Sequence, residues 1–182
     1  MQAATLSARK LAIMVAHGFD ETQFIEIQKQ AMQSTAQMKV ISATSGLVNS
    51  SSNGTMAMSY PVDANLSETL AIDYDALILI EGQHLNTLKD EPHAGRIIRA
   101  FLRAGMPVLS FGEAQSLVVE TAEEVTADTF AALAPAGRDG AVLYADAGQS
   151  VSSVFRSLAD AIADAEAAFA AEEAEEAAAE AA

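Results

Sequence analysis

The chain contains no cysteine and no tryptophan, and only 5% of its residues are aromatic. Without cysteine there are no disulfides, no thiolate metal ligands and no thiol nucleophile. With so few rings, Ala, Leu, Ile, Val and Met have to fill the interior. Positive charge is scarce too: 10 Lys and Arg stand against 25 Asp and Glu, a formal net charge of −15. Such a surface cannot replace the counterions along a phosphate backbone, which argues against nucleic acid and, for the same reason, against an anionic membrane face. No stretch approaches the roughly 20 apolar residues that span a bilayer. Leu11–Ala16 follows Arg9 and Lys10 as a signal segment would, but it is short and leads into His17-Gly18-Phe19-Asp20-Glu21 instead of a small-residue cleavage site. A cytoplasmic location is the default expectation.

What is present is a regular alternation. Leu11–Ala16 is continuously apolar, as a strand covered on both faces should be. Phe24, Ile27, Ala31 and Met32 then recur at helical spacing over about 21–33. Met38–Ala43 reads as a second strand, Asn49–Gly54 as a Ser- and Asn-rich turn or loop, and Thr55–Val62 as an edge excursion held there by Pro61. Asp75–Ile80 is the clearest buried strand. Pro92 suits a helix start, Ala94–Ala104 a helix closing on Gly105, and Met106–Phe111 a strand that turns at Gly112 into a helix near Glu113. Gly140–Tyr144 is the last expected strand and Ser150 the cap of the last helix. The alternation predicts an α/β fold: a doubly wound, mostly parallel sheet with helices on both faces. One domain is expected over 1–163, with 1–9 flexible. An Ala/Glu-rich acidic tail over 164–182 is expected to be solvated and frayed, since its like charges cluster and it offers no apolar stripe. In such sheets ligands bind beyond the carboxyl ends of the strands, which singles out Ala16–Gln23, Glu81–Leu85 and Ser110–Gln115.

The order of three segments, Lys10–Ile25, Tyr74–Gln83 and Gly105–Leu117, resembles the DJ-1/PfpI superfamily, also called class I glutamine-amidotransferase-like. That resemblance implies a flavodoxin-like fold. Within it, Gly18–Phe24, Gly46–Val62 with Asp75–Gly82, and Gly140–Ala163 look most like the C-terminal domain of large-subunit haem catalases. The haem domain is not part of the resemblance, so peroxide dismutation is not implied. Active members of the superfamily carry a cysteine on a strained strand-to-helix turn, usually followed by His, with a Glu from the first loop nearby. The turn suits an anionic nucleophile because free N–H groups and the helix dipole stabilise it. Here the nucleophile position matches Gly112, the His position Glu113 and the Glu position Gln23, while Glu81-Gly82-Gln83 stands for the usual Pro-Gly-Gly. The family's hydrolase, amidase or deglycase chemistry therefore lacks its groups, and no confident catalytic residue is assigned.

The remaining candidates have plain readings beside the chemical ones. Glu113 is a candidate acid or base, or simply a carboxylate favoured at a helix start. Ser110 needs a base to act as a nucleophile and otherwise satisfies backbone groups at a strand end. His17 and His84 are expected to flank the same crevice and, with Asp20, Glu21 or Glu113, could make a two-His, carboxylate metal site. No short ligand spacing supports one, so no metal is expected. His93 belongs at an exposed helix start. Gly18, Gly46, Gly54 and Gly82 serve turns. The turn after the first strand has one glycine and two acids, which would repel a pyrophosphate, so no nucleotide cofactor is expected. The leading expectation is a non-catalytic domain working by oligomerisation, a homodimer first, or by stabilising a partner protein. The resemblance adds a stress-related or chaperone-like role. The competing expectation is a hydrolase- or lyase-type enzyme with a rebuilt crevice using Glu113 with His17 or His84.

Overall fold

The structure, a computed structural model, describes residues 3–182. Strand β1 (Lys10–Met14) enters the centre of the fold, and the short β2 (Phe19–Asp20) leads into helix α1 (Glu21–Gln33). Asp20 caps α1, its carboxylate accepting the Gln23 N–H at 2.8 Å. The helix buries Gln23, Phe24, Ile27 and Ala31, but Met32 is 73% exposed, one position round from the buried stripe. Strand β3 (Gln37–Ser42) follows, then β4 (Leu47–Ser52), β5 (Thr55–Pro61) and β6 (Ala64–Asn65). The expected loop at 49–54 is thus mostly strand: β4 pairs antiparallel with β5 and parallel with β2, and only Asn53 and Gly54 turn.

Strand β7 (Ala76–Leu79) is followed by α2 (His84–Lys89), α3 (Pro92–Arg103), β8 (Val108–Phe111), α4 (Gln115–Thr121), α5 (Ala127–Leu133), β9 (Ala136–Asp139), β10 (Val142–Ala145) and α6 (Val151–Glu180). Helix α3 has Pro92 at its first turn and Glu91 as its cap, with the Glu91 side chain accepting the His93 N–H. The main sheet runs β6-β3-β1-β7-β8-β10-β9, parallel throughout except for β9 against β10. The inner five strands therefore have the doubly wound order 2-1-3-4-5, with the reversal between β1 and β7. A second sheet, β2-β4-β5, stands beside it.

Alternate residues of β1, β7 and β8 feed two apolar layers. Leu11, Ile13, Ile78, Leu109 and Phe111 pack with Phe24 and Ile27 of α1 and Phe155 and Leu158 of α6. Ala12, Met14, Leu77, Leu79 and Val108 pack with Ile97, Ile98 and Phe101 of α3, Leu117 of α4 and Phe130 of α5.

Both ends differ from expectation. Met1 and Gln2 of the expected flexible start lie outside the described residues, but Leu6 is buried and Arg9 pairs with Glu166. The acidic tail is helical: α6 continues to Glu180, with Arg9 and Arg138 bonded to Glu166 and Asp164 along its middle. Continuing an established helix costs far less than nucleating one, so an Ala-rich extension forms despite its repelling carboxylates. Ser150 does occupy the cap position, although its hydroxyl meets Ser152 Oγ instead of a backbone N–H. Helices α2 and α5 and strand β9 had no counterpart in the sequence pattern.

Candidate functional site

The carboxyl ends of β1, β7 and β8 converge on one place. The chain after β1 meets the chain after β7 through an antiparallel bridge between Phe19 and Gly82, and the Asp20 N–H donates to Glu81 O at 3.0 Å. The backbones are so close that a Cβ on Gly82 would lie 2.6 Å from Gly18 O and 2.7 Å from Asp20 N. Gly82 also has a φ of +131°. It is glycine because nothing else fits there. Gln23, buried under this crossing, accepts the Glu81 N–H through its Oε1 at 2.8 Å. The Gln23 side chain therefore fixes the backbone of Glu81.

The turn after β8 carries the decisive contact. Gly112 has a φ of +50° and opens a single 3-10 turn, Gly112–Ala114, that leads into α4. The Glu81 side chain reaches across from the end of β7, and its Oε1 accepts the Glu113 N–H at 3.0 Å. That same oxygen occupies the position of a side chain on Gly112: a Cβ built there would overlap it. A carboxylate of the chain itself thus fills the place where a side chain at position 112 would project.

The other sequence candidates are held in structural roles. His84 is fully buried; its Nδ1 accepts the Ala16 N–H at 3.1 Å and its Nε2 donates to Ile80 O at 2.8 Å. Burial pushes its pKa down to about 4, so it is neutral with both nitrogens engaged. It is not a crevice base. His17 is exposed and faces the second sheet, with Nδ1 accepting the Asn49 N–H and Nε2 opposite Thr44 Oγ1. The two histidines are thus committed to different parts of the fold. Among the described residues no group of three or more His, Asp or Glu is arranged to hold a metal ion. Ser110 is buried with an unpartnered hydroxyl and no base beside it. Its cross-strand neighbour Tyr144 donates to Asp146 Oδ1 at 2.6 Å. Burial, then that bond and the nearby carboxylates, push the phenol up to about 12 and keep it protonated. His93 sits at the start of α3 as expected, but it is half-buried against Arg96 instead of exposed.

Outside the turn lies an open cleft of about 610 Å³ lined by Gly82, Gln83, Asn86, Lys89, Glu113 and Ser116, among others. Glu113 is exposed on its wall, Ser116 Oγ donates to Glu113 O at 2.8 Å, and Lys89 pairs with Glu120 at 3.2 Å. Neither Gly112 nor His84 lines it. Glu81 is the residue that sequence reasoning passed over. It was visible only as a departure from Pro-Gly-Gly, and nothing local indicated that its side chain reaches 32 residues along the chain.

The DJ-1/PfpI family model matches residues 9–135. No curated protein matches the sequence. Among solved structures, the chain is similar to a ThiJ/PfpI domain protein from Brachyspira murdochii, with a TM-score of 0.69 at 17% identity over 87% of this chain and 98% of that one. It is similar to DJ-1beta of Drosophila melanogaster, with a TM-score of 0.66 at 13% identity over 89% and 97% of the two chains. A two-domain protein from Anabaena variabilis with DJ-1/ThiJ/PfpI-like and ferritin-like domains gives a TM-score of 0.69 at 14% identity, covering 82% of this chain. The chain spans 47% of that protein's length. These likenesses show the fold.

Proposed function

Because this chain belongs to the DJ-1/PfpI family and fills the family's nucleophile turn with its own carboxylate, we propose that it is a non-catalytic member acting by association, with itself or with a partner it stabilises. The observation that carries this reading is the Glu81 oxygen lying where a side chain on Gly112 would project while taking the Glu113 N–H. A nucleophile there needs space and free donors to stabilise its anion, and here Glu81 takes the space and the Glu113 donor. The neutral, fully bonded His84 and the structural Gln23 support the same reading. The kinship with catalase C-terminal domains and a stress-related, chaperone-like role belong to the same proposal, since such a domain works by supporting an assembly.

The test is an assay of the purified protein at high concentration against activated esters, a peptide amide and a glyoxal. The expected result is no turnover above buffer, unchanged in Glu113→Gln. Saturable turnover that Glu113→Gln reduces tenfold or more would transfer the assignment to a rebuilt enzyme at the cleft.

A further inference from the structure

At the amino ends of β7 and β8, far from the Gly112 turn, the surface keeps apolar area that the fold leaves open. Ile72, on the 3-10 turn Ala71–Asp73, is 85% exposed, and Phe169 on α6 is 45% exposed. Both line a groove of about 650 Å³, together with Met106 and Ile162. Contiguous exposed apolar surface with a polar rim marks a place where another molecule docks.

The charge along this groove has one sign. Asp75, Glu166 and Glu173 line it, and no Lys, Arg or His does. Arg9 pairs with Glu166 and lies 3.9 Å from Asp75. Among the described residues, Glu172, Glu173 and Glu176 have no cationic partner. Helix α6 sets both properties on one face. At about 100° per residue, Ile162, Ala165, Phe169, Glu173, Glu176 and Glu180 stay within roughly 60° of one line along it. That line is apolar beside the body and acidic beyond it, over about 27 Å.

We propose that this groove receives a basic, amphipathic helix of a partner protein. Its apolar side chains seat against Ile72 and Phe169, and its Lys or Arg residues lie along Glu173, Glu176 and Glu180. A helix is the occupant the groove favours. An extended segment would bring unpaired N–H and C=O groups against apolar walls, and neither edge strand of the main sheet, β6 or β9, lines the groove to pair with them. A helix arrives with its backbone bonds made and packs its ridges against those of α6. A basic one is required because a second copy would bring the same acids to the same place, and an anionic membrane is repelled likewise. The inference supplies the partner's chemistry for the association reading above and rests on it.

Because the chain has no tryptophan, the fluorescence of a peptide that carries one reports the peptide alone. The probe is an 18-residue Leu/Lys peptide with Leu at helical spacing and one Trp on its apolar face. A scrambled peptide of the same composition and a Leu/Glu version are the controls. The full-length chain is expected to bind the amphipathic Leu/Lys peptide saturably, one per chain, at micromolar concentration, and both controls at least tenfold more weakly. Phe169→Ala, which leaves the charge unchanged, is expected to raise the dissociation constant tenfold or more. Glu173→Gln is expected to raise it about threefold. Met32→Lys, which changes the net charge by the same one unit on exposed α1 surface, is expected to leave it unaltered; each variant is checked for native circular dichroism. No saturable binding, equal binding of the scrambled peptide, or an affinity unmoved by Phe169→Ala would overturn the inference. So would a Met32→Lys effect as large as that of Glu173→Gln, since binding would then follow net charge alone. Any of these results leaves the non-catalytic reading standing, because only turnover in the assay above removes that.

Discussion

At Gly112 a side chain meets a φ of +50° and has to push the flexible end of Glu81 off its bond to the Glu113 N–H. Gly112→Ala is therefore expected to cost about 1–3 kcal/mol. Glu81→Ala frees the space, so the double variant should lose clearly less than the two singles added together. Urea titration of all four proteins reads that coupling, and strict additivity would mean the contact does not form. His84 gives a pH signature. Its folded pKa of about 4 lies below the ordinary value of 6.5, so the unfolded chain binds the extra proton between those values. The stabilisation from keeping His84 neutral is thus complete above pH ~6.5 and is lost as pH falls toward ~4, by on the order of 3 kcal/mol. His84→Gln should flatten the fall in urea midpoint over this window. A slope equal to the wild type's would show that other groups carry it.

At the level of elements, α6 invites a similar experiment. Val154, Phe155, Leu158 and Ile162 bury its first half, whereas everything from Glu166 onward is exposed. Deleting residues 172–182 should lower the helical ellipticity yet move the unfolding free energy by only roughly 0.5 kcal/mol. A much larger loss would mean the tail helix docks on the body. The same contrast explains what could be read in advance. β1, β7 and β8 were legible because burial on both faces forces continuous apolar runs, and α1 and α3 because one face must be apolar at helical spacing. β4, Leu-Val-Asn-Ser-Ser-Ser, was not: its strand character comes from neighbours on both sides, and its buried Ser50 is satisfied by Glu21 and Met58. Its residues have turn preferences that tertiary pairing overrides. The site divides the same way. Gly112 and Gln23 stood out against a familiar turn, but Glu81 acts through a long-range contact that no local pattern encodes.

For the whole molecule, the net charge of −15 sets the conditions under which copies meet. If copies associate while their acidic surfaces repel, salt should strengthen the contact, because screening shortens the repulsion to about 10 Å at 0.1 M ionic strength. The dissociation constant from sedimentation is expected to fall as sodium chloride is raised from low to physiological strength and beyond. Weakening by salt would point to ion pairs across the interface.

The carboxylate beneath Gly112 also bears on how the chain can change over generations. A side chain introduced at Gly112 alone has to push the Glu81 carboxylate aside, and shortening Glu81 alone leaves the Glu113 N–H to solvent. The two positions are therefore coupled, and which residue is tolerated at 112 depends on what stands at 81.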